Sequence, residues 1–527
     1  MYQVNRISGF SLFLFHSSDT ADIASIAAAK DHPEFFVGDG YLGDKNNFNF
    51  YSTLLIPFTR FIAKFTGDYA SPLVLLVGLH IFLQALGFYL FGLVLFKSRY
   101  WAYLLAIITL MYFPLGLGDF WGIYYDSLPR VSFQALLPYL LAAVYYYRLR
   151  PFIWPWIFGA AGLLICLHPL STICWGLSIW LGFWILLPNS WNLYRRIGFM
   201  LFVGFIFSLV VFAFVNKYMN NHVMKVSSSD YNAVLQILKY RFPMGFLDIK
   251  YAIRGFFSNI AFVRVLVLGF IGMIYLWLRY RQERKEFLVI SLWLCGIIII
   301  SVFAPYIDQL AAYKYKSIPM QFNLVRNFRY IFPLMLMFCL WPFVLISRNS
   351  KSKRSRRLAF IIGFLLVFIW SSRQMYKHIL FLKNNNYYMF DREGNKSLEI
   401  IDMLNSLKQL TPRGSKIFTF CFPHELAVRY YALRPLVYSF KDGGMFAYSN
   451  YDELLKWYDK TKEIDYLSDQ ITELQDDKMK KDLLVKLSRK FKAQYLLMPR
   501  DQVLNLSIFL DSELVYCNKL YLLIRII

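Results

Sequence analysis

Charge is scarce in this chain, and acid is scarcer than base. Only 17% of its 527 residues are Asp, Glu, Lys or Arg, while 57% are hydrophobic and 19% aromatic. Soluble domains carry about 25% charged residues, so the shortage excludes an ordinary soluble protein. Cysteine is also sparse, and six residues do not make a disulfide scaffold. Cys166, Cys174, Cys295 and Cys339 lie inside apolar runs, where they are expected to pack as small apolar groups. Cys421 and Cys517 lie in the tail, where pairing and free buried thiols both stay open. No Cys/His spacing suggests zinc, and the first residues lack the three-part pattern of a signal peptide. The apolar runs are almost free of charge, Arg264 excepted, and show no internal repeat; both absences count against ion-coupled transport.

What the chain does contain is membrane-length apolar sequence. Spans are expected at 72–96, 100–117, 131–147, 152–169, 171–188, 196–216, 258–278, 286–306, 328–347 and 356–372. The net charge of +24 sits largely between them. Alternate gaps hold 16 basic residues, from Lys97 and Arg99 through to "SRNSKSKRSRR" at 347–357. The positive-inside rule puts those gaps in the cytoplasm. A basic balance of this kind reports topology and contact with anionic lipid, and no nucleic-acid partner is expected. The expected fold is thus an α-helical polytopic membrane protein of about ten to eleven transmembrane helices with a small C-terminal α/β extracytoplasmic domain. Residues 1–71 form a first extracytoplasmic segment with possible interfacial helices, "YSTLLIPFTRFIAKFT" (51–66) among them. Residues 72–372 form the helical domain, 373–396 a linker and 397–527 the soluble domain. "ISGFSLFLF" (7–15) is too short to span. Either the chain begins partway through a first helix, the better reading, or its N-terminus is translocated.

In the tail, "SLEIIDMLNSLKQL" (397–410) has helical spacing and "SKIFTF" (415–420) reads as a strand. Further strands are expected at "PLVYSF" (435–440), "AQYLLMP" (493–499), "ELVYC" (513–517) and "LYLLIRI" (520–526), with charged helical sequence across 451–491.

The first outside segment holds seven acids: Asp19, Asp22, Asp31, Glu34, Asp39, Asp44 and Asp68. Asp39 lies in "VGDGY", where the flanking glycines permit a tight turn and close approach of backbone to a ligand. Such an acid beside a desolvated cavity can accept a proton from a hydroxyl, or hold a divalent cation against a phosphate; Asp39 and Asp44 can equally be turn residues facing water. "DFWGIYYDSLPR" (119–130) adds Asp119, Asp126 and Arg130 on the same face. His168 begins "HPLS" at the outer end of a span. Arg326 and Arg329 in "QFNLVRNFRY" (321–330) are spaced to share a helical face, as a phosphate grip or a headgroup anchor.

These features resemble the C-type superfamily of integral-membrane glycosyltransferases, which use polyprenyl-phosphate-linked sugars, and more closely its bacterial multi-spanning relatives. The resemblance is carried by "HSSDTADIASIAAAKDHPEFFVGDGYLG" (16–43), the alternating run after it, "GLLICLHPLSTICWGLSIWLG" (162–182) and the C-terminal domain. It covers most of the chain in architecture but only short segments in residues, and the complete first helix of that family is missing. The resemblance implies an inverting transfer of sugar from a lipid-phosphate donor to a saccharide or protein acceptor hydroxyl at the outer face of the bacterial inner membrane. It implies Asp39 as base with Asp44 second. Asp119, Asp126, Arg130, His168, Arg326 and Arg329 would bind substrate, with Mg or Mn held by Asp44 and Asp126. Rival readings are a lipid-linked saccharide flippase and a non-catalytic assembly factor.

Overall fold

The computed structural model describes residues 18–116, 119–122, 127–220, 230–242, 249–315, 317–318, 322–384, 395–502, 508 and 513–526. The first helix, α1 (Ser18–Asp31), is rich in alanine, the best helix former. It carries Asp19 in its first turn and Lys30 in its last, matching the helix dipole. Its apolar residues occur all round, and Ile23, Ala24, Ile26, Ala27 and Ala28 are wholly buried; a helix without a polar face belongs in a core. His32-Pro33 ends it. Helix α2 (Leu55–Thr66) buries Leu55, Ile56, Thr59 and Ala63, exposes Phe58, Phe61 and Phe65, and stops at left-handed Gly67. One apolar face packed and one exposed is the form an interfacial helix takes.

Seven helices among the described residues are long and apolar enough to cross a membrane: Ser71–Phe96, Pro169–Leu186, Leu193–Asn216, Ile260–Arg279, Arg281–Tyr315, Leu324–Asn349 and Lys353–Lys377. In chain order the helical region comprises α3 (Ser71–Phe96), α4 (Arg99–Leu110), α5 (Pro129–Tyr146), α6 (Trp154–Leu163), α7 (Pro169–Leu186), α8 (Leu193–Asn220) and α9 (Tyr231–Arg241). It continues through α10 (Ile249–Phe257), α11 (Ile260–Arg279), α12 (Arg284–Ile298), α13 (Ala304–Tyr315), α14 (Ile331–Asn349) and α15 (Lys353–Asn384). Helices α4 and α6 are shorter than the runs expected there. After α4 the chain turns into a hairpin, β1 (Phe113–Gly116) against β2 (Asp119–Trp121). Pro114 removes a helical donor, and Gly116 adopts φ 115°. A nine-residue 3-10 helix, Phe322–Tyr330, leads into α14.

The tail contributes α16 (Asn395–Leu410), β3 (Ile417–Thr419), α17 (Ala427–Tyr430), α18 (Asp442–Ser449), α19 (Tyr451–Glu473), α20 (Asp477–Lys490), β4 (Tyr495–Pro499), β5 (Leu514–Cys517) and β6 (Tyr521–Arg525). The sheet order is β3-β4-β6-β5, with β3 and β4 parallel and the other pairs antiparallel. "PLVYSF" makes only one bridge, Leu436 to Ile417, and is no strand. The reason lies in its partners, because this stretch wraps the Asp39 turn, giving the Leu436 amide to that carboxylate. Cys421 and Cys517 are both free thiols. The C-terminal unit is not built from the tail alone: α1, the 36–56 stretch and α9 share one continuous apolar core with α16 to β6.

Candidate functional site

A cavity of about 400 Å³ lies where α1, the 50–53 stretch, the starts of α5 and α7, the 3-10 helix and α18 meet. One wall is acidic. Asp19 and Asp22 stand three residues apart in the first turns of α1 and therefore on one face. The Lys441 ammonium, from the turn before α18, donates to Asp19 Oδ1 and lies 3.6 Å from Asp22 Oδ2. Asp19, which lines the cavity, has 42% of its side chain exposed, against 4% for Asp22. Lys441 outweighs burial and holds Asp19 well below the usual carboxylate range, so it is ionised. Burial outweighs the same lysine at Asp22 and pushes it up to about 7. Arg241 closes this end, its guanidinium over the Phe440 ring at 4.8 Å. Gly444 lets it approach, since a Cβ there would come within 2.9 Å of the Arg241 guanidinium.

The opposite wall is basic. Arg329, 1% exposed, donates from Nη1 to Asp119 Oδ1 at 2.8 Å. Arg130 Nη1 lies 4.0 Å from the same oxygen, with its guanidinium 5.0 Å from the Phe120 ring. Two guanidinium groups thus share one wholly buried carboxylate, and among the described residues neither Nε atom has a hydrogen-bond partner. Arg326 lines the same wall. In a 3-10 helix residues three apart eclipse one another, which stacks Arg326 and Arg329 more directly than an α-helix would. His168 caps α7, accepting the Ser171 amide at Nδ1 (3.3 Å) with a 2.7 Å hydrogen bond to Ser171 Oγ. Burial, helped by Arg329, Arg130 and Arg326, holds its pKa well below the usual value. The ring is neutral, and its occupied Nδ1 leaves the proton on Nε2. Five cations and two acids line the cavity.

Of the residues expected to act, Arg130, His168, Arg326 and Arg329 meet here. Asp119 stands behind them as counter-ion to Arg329. Asp126 lies outside the described residues. Asp39 is elsewhere, and its surroundings do not suit a base. Its side chain is fully buried. Oδ1 accepts from the Tyr41 and Leu42 amides (2.9 and 2.8 Å) and from Arg429 Nη2 (2.7 Å), while Oδ2 accepts from Arg429 Nε and the Leu436 amide (both 2.8 Å). Five donors occupy its two oxygens, leaving no lone pair for a substrate proton. Asp44 accepts the Asn46 amide as the cap of a short 3-10 turn and does not line the cavity. Asp19, Asp22, Arg241 and Lys441 were not singled out by sequence reasoning, although the i, i+3 acids ahead of an alanine-rich helix are a readable signal.

Of the expected Mg or Mn ligands, Asp44 caps a turn away from the cavity and Asp126 lies outside the described residues. Among the described residues no three His, Cys, Asp or Glu side chains cluster, and between Asp19 and Asp22 an ammonium already bridges the oxygens a divalent ion would take.

Asp22 makes one prediction independent of function. Its folded pKa, about 7, exceeds its usual value of 3.8, so the folded state binds the proton more tightly. Its contribution to stability is full below about pH 4 and is lost as pH rises through 7. Asp22→Asn cannot ionise there. Thermal melts from pH 4 to 8 should show the variant gaining on the native protein up to about pH 7 and then holding a constant margin; a pH-independent margin would refute the assignment.

Comparison with known families finds no family model that matches the chain, and no curated protein matches it either.

Proposed function

We propose that the protein is an integral-membrane glycosyltransferase that moves a sugar from a lipid-phosphate donor to an acceptor hydroxyl at the extracytoplasmic face of the bacterial inner membrane. The observation that carries this reading is one cavity with a partly exposed carboxylate, Asp19, and two guanidinium groups, Arg130 and Arg329, that share the single carboxylate of Asp119 among the described residues. Two cations around one carboxylate in a low-dielectric wall favour an anion, and the guanidinium fork suits phosphate oxygens. The alternation of basic gaps supports an outward orientation for this end of the bundle and the tail.

Reach comes before pKa in choosing a base, so Asp19, open to the cavity, takes the role the sequence suggested for Asp39. The acceptor hydroxyl gives its proton to Asp19 as its oxygen bonds to the anomeric carbon. The bond from that carbon to the phosphate oxygen breaks, and its electron pair leaves on the lipid phosphate. Arg130, Arg326 and Arg329 stabilise the charge that develops there, and His168 Nε2–H adds a neutral donor. A single displacement inverts the anomeric centre.

The purified protein in liposomes is expected to transfer sugar from an isoprenoid monophosphate donor with inversion; transfer with retention would exclude this mechanism. Arg329→Gln should weaken binding of a short-chain isoprenoid phosphate roughly 10- to 100-fold, as expected for loss of a charge-assisted contact of about 1.5–3 kcal/mol. Unchanged binding would remove the phosphate assignment.

A further inference from the structure

The acidic wall belongs to two parts of the chain far apart in sequence. Asp19 and Asp22 come from α1, and Lys441 comes from the turn before α18 in the tail. That turn is fastened on both sides. The Lys441 amide donates to Ser439 Oγ at 3.1 Å. The neighbouring Asp442 accepts from Arg429 Nη1 and Nη2 at 2.6 and 2.8 Å, and Arg429 grips Asp39 with its other edge. Gly443 belongs to the same fastening, since a Cβ there would overlap the Trp457 ring. The Asp39 turn therefore sets the position of Lys441 through Arg429 and Asp442.

We propose that Lys441 is a positioning residue, which the C-terminal unit inserts into the cavity to bridge Asp19 and Asp22 and to aim Asp19 at the substrate. The inference rests on the transferase reading for its catalytic meaning, but the pairing itself is independent of it. Asp19 faces Asp22, Tyr51, Arg130, Arg241, Arg326 and Lys441. Lys441 has the largest effect on it. Without that ammonium Asp19 loses the largest influence that keeps it ionised, and a carboxylate deprived of an adjacent cation titrates about one to three pH units higher.

Two readouts test this in the full-length protein. Dicyclohexylcarbodiimide couples to protonated carboxyl groups, and mass spectrometry of the labelled peptide separates Asp19 from Asp22. In the native protein at neutral pH, Asp22 should label and Asp19 should not. In a labelling series run from neutral to acid pH, Lys441→Met should raise the pH at which Asp19 begins to react, and with it the acid limb of the transfer profile, by about one to three units, while Lys441→Arg restores both. Lys441→Gln, polar and of similar reach, serves if the methionine variant does not fold. A change in labelling with no sugar transfer by any protein, native included, supports the pairing and overturns the transferase reading. Asp19 labelling that is the same with and without Lys441 overturns the inference.

Discussion

Arg429→Met is expected to melt the C-terminal unit well below the native protein, by about 3–5 kcal/mol, the range for breaking a buried ion pair from one side. The reason is what the substitution leaves behind. Arg429 is completely buried between Asp39 and Asp442, themselves 0% and 2% exposed. Four hydrogen bonds run from its guanidinium to the two carboxylates. Methionine fills much of the space but strands both carboxylates in a medium that does not solvate them. Their pKa values must rise or the segment must open. Adding Asp39→Asn and Asp442→Asn together should recover much of the loss, because neutral amides remove the stranded charge. Limited proteolysis between α1 and α3 and in the tail would report the separation, since both share the affected core. A melting temperature within 2 °C of the native value, roughly the resolution of the effect of 1 kcal/mol in a chain this large, would contradict this account.

Asp19→Asn should abolish sugar transfer, with a loss of about 100- to 10,000-fold, the contribution usual for a positioned general base, while isoprenoid phosphate binding stays near native. Asparagine is isosteric, keeps hydrogen-bonding capacity towards Lys441, and cannot accept the hydroxyl proton. The informative contrast is Asp39→Asn. That change should cost the folded protein far less than Asp19→Asn does, because Asp39 has no open oxygen and acts only through the Arg429–Asp442 link that places Lys441. Asp44→Asn, altering an exposed turn cap, should stay within about twofold, as for most surface changes. An Asp19→Asn protein that transfers normally, beside a folded but inactive Asp39→Asn protein, would return the base to the glycine-flanked turn.

The contrast between Asp39 and Asp19 also shows how far residue patterns reach. "VGDGY" correctly announces a turn: Gly38 is left-handed at φ 85°, and Asp39 caps it through the Tyr41 and Leu42 amides. Nothing local reveals that Arg429, 390 positions later, will take the remaining lone pairs. The Arg326/Arg329 spacing was informative about a shared face, and the 3-10 geometry tightened it. The strand expected at "PLVYSF" failed for a related reason. It meets β3 only at one bridge, Leu436 to Ile417, and gives the Leu436 amide to the Asp39 turn instead of extending the ladder.

Apolar run length announced from the sequence alone the mostly helical fold and its helices long and apolar enough to cross a membrane, since burial preference and helix period are properties of neighbouring residues. Most helices of the tail and all four of its strands were legible for the same reason, a fifth expected strand at 435–440 being the one that did not form. The joining of α1 to the tail in one core, and the choice of which acid faces a cavity, belong to the tertiary structure. A carboxylate's role depends on which charges and donors fold against it, and here those partners arrive from some 400 residues away.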